Sequence, residues 1–238
     1  MSKNKVKLTK EEKKKLKEEK KKNANPIVKP VIIFSIIIVI VMVLVGVALV
    51  FLFKGEETKP AEGEKKTLNS LEKYGYTLDD KDTEIYKTEF NKLKDNLESK
   101  EIDYEEYAKS IAKLFVIDLY TISNKTNKYD VGGKEFVFPD ARENYELNVE
   151  DTIYRYVEDN SDGKRTQTLP TISSVEIESI TTTTFKYTPD TDKNVNKEYE
   201  AYTVKYKAEY ETASSGYDTS GEITIVKDGE FLYVIEKK

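Results

Sequence analysis

The chain has 238 residues, of which 39 are Lys or Arg and 44 are Asp or Glu, giving a formal net charge of -5. It contains no Cys, no His and no Trp, but it has 17 Tyr. The absence of Cys excludes disulfides, thiol nucleophiles and zinc ribbons. The absence of His excludes Ser-His-Asp triads, His-based acid–base catalysis and most transition-metal sites. Enzyme chemistry would have to use carboxylate, Lys or Tyr side chains.

Residues 1–30 form a tail that is too highly charged to build a core, with 12 Lys against four Glu. Thr9 and Glu12 make a capping box, which predicts a short, frayed, solvated helix. Two interpretations of the tail remain open. In one, the lysines bind anionic lipid headgroups; in the other, they only supply the charge that orients a neighbouring membrane span.

Val31 to Phe53 is an apolar run of 23 residues, interrupted only by Ser35 and Gly46. As a helix this run would be about 34 Å long, enough to cross a hydrocarbon core of about 30 Å. A cleaved signal peptide has a shorter core and small residues at its cleavage site, whereas this run ends in bulky residues. We therefore predict a retained transmembrane helix over 31–53.

The charges on either side of this run predict its orientation. Residues 1–30 carry a net charge of +8, and residues 54–238 carry 27 basic and 40 acidic side chains. Positive charge stays on the cytoplasmic side, so we expect a single-pass cell-membrane protein with its N-terminus inside and its C-terminal region outside. An acidic outer region argues against nucleic acid as a partner. Heavy use of Lys, Asn, Ile and Tyr favours a low-GC bacterial source.

Beyond the span, residues 54–68 combine Gly, Pro and charge without periodicity, which predicts a solvated stalk. Residues 69–238 are long enough for one extracytoplasmic domain with its own core.

The first half of this domain shows helical periodicity. We predict helices over Asp79–Ser99, Asp103–Ser123 and Pro139–Glu158, and a short strand over Glu135–Phe138 that follows a turn at Gly132-Gly133. Asp103 and Glu106 form a capping box at the start of the second helix. The three apolar stripes are Tyr86, Phe90, Leu93 and Leu97; Tyr107, Ile111, Phe115 and Ile122; and Ala141, Tyr145, Val149, Ile153 and Tyr156.

The second half alternates with period two, which predicts four strands. The clearest is Tyr202–Tyr210, in which apolar and polar residues alternate. A long strand before it, Val175–Tyr187, is predicted to have an irregularity near Ile180 and to place Val175, Ile177, Thr183, Phe185 and Tyr187 on one face. Asp228-Gly229 predicts a hairpin turn. In the last strand Phe231, Tyr233 and Ile235 share one face, and Leu232 and Val234 make the other face apolar as well, so we expect this strand in the centre of the sheet.

This order predicts an α+β fold: a transmembrane helix followed by three helices packed on a curved antiparallel sheet. The order of elements over about residues 75–238 resembles the cone-shaped fold of the nuclear transport factor 2-like superfamily. In layout, the chain is similar to the membrane scaffold proteins of bacterial conjugation and type IV secretion machines. That resemblance implies an assembly role in the cell envelope, and no family motif is present from which to transfer site residues.

Asp118 is the one candidate ligand-binding residue, because it lies among apolar residues on the stripe of the second helix. A buried carboxylate needs a partner, or its pKa rises. We consider two interpretations: a ligand-binding acid in a cavity between helices and sheet, or a structural acid bonded to a Tyr hydroxyl, Arg142 or Arg155. No residue is assigned a catalytic role, and no cofactor is expected.

Asp190, Asp192, Asn194 and Asn196 alternate like the start of a calcium-binding EF-hand loop. Val195 stands where that loop needs Gly, and Ala201 stands where it needs a bidentate Glu. The run therefore indicates a polar loop, and no metal site is predicted.

These observations favour a non-enzymatic, membrane-anchored protein whose outer domain mediates protein–protein assembly in the envelope. Its expected partners are the lipid bilayer and other envelope proteins. The alternative is an outer domain that binds a small ligand in the space between helices and sheet, near Asp118.

Overall fold

The computed structural model describes residues 10–22, 65–188, 196–211 and 216–238. By contact, the chain separates into two units, Met1–Thr58 and Lys59–Lys238. The predicted span from Val31 to Phe53, with Gly46, lies outside the described residues. Within the described ranges, no helix has both the length and the apolar character needed to cross a bilayer.

In the first unit, the described residues form helix α1, Lys10–Lys22. The helix predicted from the capping box at Thr9 and Glu12 is therefore present. Its sequence is almost entirely Lys and Glu, and each side chain whose burial is described there is exposed. A helix of this composition has no apolar stripe to pack against a partner.

The second unit is α+β, as predicted. Its elements are β1 (Thr67–Leu71), β2 (Tyr76–Asp79), α2 (Glu84–Leu97), α3 (Tyr104–Tyr120), α4 (Arg142–Asp151), β3 (Ile172–Tyr187), β4 (Lys197–Tyr210), β5 (Ser220–Asp228) and β6 (Phe231–Lys237). In the described part of this unit, β1 and β2 form a hairpin, and the other strands form an antiparallel sheet in the order β3-β4-β5-β6.

Helix α3 is the centre of this unit. It contacts all four strands of the large sheet on one side and α2 on another. The predicted apolar stripes of α2 and α3 are confirmed, because every residue of both is buried. Asp103 caps α3 as predicted, accepting hydrogen bonds from the backbone N–H groups of Glu105 and Glu106.

The start of α2 was predicted too early. The helix begins at Glu84, after its cap Thr83, and not at Asp79. The hairpin β1–β2, which the sequence analysis missed, takes Tyr76–Asp79 as its second strand. Its first strand includes Thr67 and Leu68, the last two residues of the predicted stalk; residues 54–64 of that stalk lie outside the described residues.

The alternation of β4 is confirmed, with Tyr202, Val204, Tyr206 and Ala208 buried against the helices. In β3, the predicted irregularity is a bulge between Ile177 and Ser179. One extra residue reverses the side to which every later side chain points. The prediction of one shared face is therefore wrong. Val175 and Ile177 belong to the core under the helices, whereas Phe185 and Tyr187 pack on the opposite face of the sheet.

Strand β6 lies at an edge of the sheet and not at its centre. Leu232 and Val234 are buried in the core under the helices, and the outer edge of β6 is lined by the segment that was predicted to be a short strand over Glu135–Phe138. That segment is a 3-10 turn at Lys134–Phe136, followed by a single parallel bridge from Val137 to Val234. Phe138 donates a backbone hydrogen bond to Val234 (2.9 Å). A loop, and not a further strand, thus closes this edge.

The third predicted helix ends early, because α4 stops at Asp151. Tyr154, which was not on the predicted stripe, is fully buried, whereas Tyr156 is 77% exposed. The Tyr154 hydroxyl donates to the carbonyl of Leu119 (2.8 Å), near the C-terminal end of α3. The last carbonyls of a helix have no intrahelical hydrogen-bond partner. The Tyr154 hydroxyl therefore supplies the donor for a buried carbonyl that would otherwise have none.

Tyr154→Phe tests this contact. We expect it to lower the free energy of unfolding by about 1–2 kcal/mol, because a buried carbonyl loses its donor while the ring is kept. Tyr156→Phe, which changes an exposed ring in the same way, should change it by less than about 0.5 kcal/mol. Urea unfolding of the two variants measures both effects; equal stabilities would contradict the assignment.

Candidate functional site

Asp118 lies in the last turn of α3, and its partners come from the loop that follows. One carboxylate oxygen forms an ion pair with the Lys125 ammonium group, and the other accepts a hydrogen bond from the Gly133 backbone N–H (2.6 Å). The Asp118 side chain is 18% exposed and the Lys125 side chain 3%. Neither predicted arginine is its partner: Arg142 donates to the carbonyls of Glu135 and Val137, and Arg155 lies over the Tyr156 ring.

Two consecutive glycines allow this loop to approach α3. A Cβ atom on Gly132 would lie 2.1 Å from the carbonyl oxygen of Asp118. Gly133 has a φ of +76°, which side chains other than that of glycine adopt with strain. The Gly132 carbonyl accepts from the Tyr145 hydroxyl (2.6 Å), which fixes the turn from its other side. The sequence thus forms a tight turn that brings the Gly133 N–H to the carboxylate.

The Asp118–Lys125 pair remains ionised at neutral pH. Burial raises the pKa of Asp118, but the Lys125 charge and the Gly133 hydrogen bond outweigh it and hold that pKa below its ordinary value. Burial lowers the pKa of Lys125, but the charges of Asp118 and Asp130 outweigh it and raise that pKa. Each partner compensates the desolvation of the other.

A second ion pair lies beside the first. Lys65 contacts Asp130 (2.6 Å), whose side chain is 2% exposed. Asp130 also accepts from the Thr126 backbone N–H (2.9 Å), next to Lys125 in the chain. The residues just before β1 are therefore tied to the loop that carries Lys125.

Asp118 lines a small cavity of about 180 Å³ together with three further acidic residues, Asp79, Asp82 and Glu135. Glu135 accepts hydrogen bonds from Thr77 and from the Tyr86 hydroxyl (3.0 Å), and Asp82 accepts from the Asp79 N–H (2.6 Å). Burial, reinforced by the charge of Asp118, raises the pKa of Glu135 to about 8 and that of Asp82 to about 6. Glu135 is therefore mostly protonated at neutral pH, close to an ionised carboxylate.

The polar side chains around Asp118 mainly bind one another, and they leave few groups free to bind a ligand. The oxygens of Asp118 both have protein partners, and the cavity is smaller than the roughly 300–1,000 Å³ typical of ligand pockets. Over residues 10–22, 65–188, 196–211 and 216–238, no group of three or more acidic side chains is placed to hold a metal. Asp190, Asp192 and Asn194 of the EF-hand-like run lie outside the described residues.

Near Leu232 of β6, the space between α3 and the sheet, where the alternative hypothesis placed a ligand, is filled by aromatic side chains, whereas a cavity of about 450 Å³ opens between α2, α3 and β3. The Tyr76 hydroxyl hydrogen-bonds that of Tyr107 (2.8 Å) and donates to the Leu232 carbonyl (3.1 Å). Tyr76, Tyr107 and Phe136 are fully buried. Asp118 faces away from this space, toward the loop after α3.

Sequence reasoning found Asp118 but missed its neighbours. Lys125 and Asp130 occur in a polar stretch without periodicity, so no pattern indicated their burial. The one usable signal was the Gly132-Gly133 pair, which was interpreted only as a turn. Two adjacent glycines also indicate a close approach of backbone to another element.

Comparison of the chain with protein-family models, with curated proteins and with solved structures found no match. The resemblance to the nuclear transport factor 2-like superfamily and to secretion scaffolds therefore stays a prediction from element order and layout.

Lys125→Met tests the buried ion pair. Leaving Asp118 ionised without its cation should cost about 3–5 kcal/mol of unfolding free energy. Lys164→Met, which removes an exposed Lys, is the matched control and should change it by less than about 0.5 kcal/mol. The double variant Asp118→Asn/Lys125→Met should lose less than the sum of the two single losses; strict additivity would show that the two side chains are not coupled.

Glu135 should make stability depend on pH. Its pKa is about 8 in the folded chain and about 4.3 for an unfolded Glu, so between these values the folded chain binds the extra proton. Stability should therefore fall as the pH rises from about 5 to 8, by at most about 1.4 kcal/mol per pH unit. Asp82, with a pKa of about 6, contributes in the same direction at lower pH.

Urea unfolding between pH 6.5 and 8 isolates the contribution of Glu135. Glu135→Gln should flatten the slope in that window, and Glu143→Gln, at an exposed position of α4, should not. Asp118 and Asp130, whose pKa values are lowered, lose their contribution only in strong acid. A slope that survives Glu135→Gln would contradict the assignment.

Proposed function

We propose that this protein is a non-enzymatic, membrane-anchored assembly protein of the bacterial cell envelope. The predicted span at 31–53 anchors it, and the α+β unit binds other proteins on the outer side. The observation that carries the proposal is the open edge of the large sheet, at strand β3.

Strand β3 runs for 16 residues, Ile172–Tyr187, and among the described strands only β4 pairs with it. Every second residue of an edge strand points its backbone N–H and C=O away from the sheet. The side chains of Thr181, Thr182, Thr183 and Thr184 are all exposed. Proteins usually protect such an edge with Pro, with charge or with a covering segment.

The two edges of the sheet differ in how they are protected from pairing with another chain. At β6, Val137 and Phe138 lie along the strand and hydrogen-bond it. At β3, the stretch Ser179–Phe185 contains neither Pro nor a charged residue. Extended segments of other proteins commonly add to an edge of this kind, with main-chain hydrogen bonds supplying affinity.

Two observations favour assembly over the ligand-binding alternative. Near Leu232 of β6, the space between helices and sheet is occupied by buried Tyr and Phe side chains. Asp118, the candidate ligand residue, is already bound to Lys125 and Gly133. A non-enzymatic role also agrees with a sequence that lacks His and Cys.

Crosslinking of the full chain in intact membranes, followed by mild solubilisation, tests the proposal. We expect complexes larger than one chain. Thr182→Lys should reduce their yield several-fold, because a charge at the edge opposes strand addition. Thr219→Lys places the same charge at an exposed position outside the strands and should leave the yield unchanged. Recovery of the unaltered protein only as a lone monomer would overturn the proposal.

A further inference from the structure

We infer that helix α1 binds the anionic lipid surface of the membrane that holds the chain, through a row of lysines on one side of the helix. This inference rests on the membrane anchor in the proposed function and goes beyond it, because it gives the tail before the span a binding partner of its own. Charge identifies that partner, since α1 has the sequence KEEKKKLKEEKKK and contains a single apolar residue, Leu16.

The lysines and the glutamates of α1 are separated around the helix axis. At about 100° per residue, one arc of about 120° holds six residues, and every one of them is Lys. We call these six the lysine stripe: Lys10, Lys13, Lys14, Lys17, Lys20 and Lys21. The glutamates of α1 all fall outside this arc, so the stripe is cationic along the whole helix.

The stripe destabilises the helix unless an anion outside the helix neutralises it. Residues three and four apart are neighbours on a helix, and like charges at that spacing repel. Lys13 and Lys17 are such a pair. On the other side of the helix, Glu11–Lys15 and Glu18–Lys22 have the favourable spacing of opposite charges. An anionic partner is therefore expected on the side of the stripe.

The geometry of the stripe fits an extended surface. The side chains of Lys10, Lys13, Lys14 and Lys17 are all exposed. At about 1.5 Å per residue the helix is about 20 Å long, so a flat anionic surface can contact the whole stripe at once. An array of lipid headgroups is such a surface.

The predicted anchor favours the membrane over nucleic acid as this surface. Val31, where the predicted span begins, follows Lys22 by nine residues, so the end of α1 cannot lie more than about 32 Å from the span at about 3.6 Å per residue. The charge of the tail predicts that it lies on the cytoplasmic side, where the leaflet carries anionic lipids. The tether raises the effective concentration of their headgroups around the helix.

Quenching by the lipid headgroups tests the inference on the full chain. The chain has no Cys, so Leu16→Cys places one fluorophore on α1 without changing its charge. The labelled chain is inserted into nanodiscs of phosphatidylcholine, with or without phosphatidylglycerol, that carry a nitroxide on some headgroups. We expect strong quenching in the anionic discs, little in the neutral discs, and loss of the quenching in high salt, because salt screens the attraction.

Two double variants of the labelled chain separate the stripe from the net charge of the tail. Lys13→Gln/Lys17→Gln removes two charges from the stripe and should lower the ratio of bound to free tail roughly tenfold or more. Lys15→Gln/Lys22→Gln removes the same charge from the opposite side, about 10 Å farther from the lipid and beyond a Debye length of about 8 Å, and should lower that ratio less than about threefold. Lys and Gln have similar helix propensities, so both variants should keep the helix.

Three outcomes would each overturn the inference. Equal quenching in neutral and anionic discs would show that charge does not hold α1 at the surface. Equal losses in the two double variants would show that only the net charge of the tail matters. Absence of quenching in anionic discs at low salt would exclude lipid binding, and retention of the chain on nucleic acid would then identify another polyanion as the partner.

Elution of the chain together with neutral discs measures the anchor separately. A chain that does not elute with them would overturn the predicted anchor and the inference that rests on it. A chain that elutes with the discs but shows no quenching in anionic ones would overturn the inference and leave the anchor intact.

Discussion

Burial of helix α3 on almost every side is the constraint from which the rest of the second unit follows. A helix in this position must satisfy the polar groups near its C-terminal end largely inside the protein, because they are mostly shielded from water. The Tyr154 hydroxyl donates a hydrogen bond to the Leu119 carbonyl. The Lys125 ammonium group and the Gly133 backbone N–H bind the Asp118 carboxylate. The loop after α3 is therefore drawn inward, although its sequence is polar.

This inward loop also shapes the surface of the sheet. After the Gly132-Gly133 turn, the chain continues to Val137 and Phe138, which lie along β6. The loop that satisfies α3 thus also closes one edge of the sheet. No described strand does the same at β3, so the two edges differ in what they offer to another chain. The polar cluster around Asp118 therefore has a structural role, and the proposed function lies at the β3 edge, which this loop does not cover.

Local patterns predicted much of the fold. The apolar stripes of α2 and α3, the Asp103 cap and the alternation of β4 follow from periodicity, because each reports which side of an element is buried. Patterns failed where a tertiary contact decided the outcome. Nothing in the sequence around Lys125 or Tyr154 indicates burial, and the β3 bulge reversed the side of Phe185 and Tyr187. The apolar residues of β6 led us to expect it in the centre of the sheet, but it is an edge strand along which a loop, and not a further strand, lies.

Amide hydrogen exchange along β3 tests the central claim most directly. It should be measured residue by residue on the full chain, first in its membrane and then after dilution in detergent. If β3 is the assembly edge, the amides of Ser179–Tyr187 that point away from β4 should exchange slowly in the membrane and quickly after dilution. The amides that bond β4 should be slow in both states. Fast exchange of the outward amides in the membrane would contradict the claim.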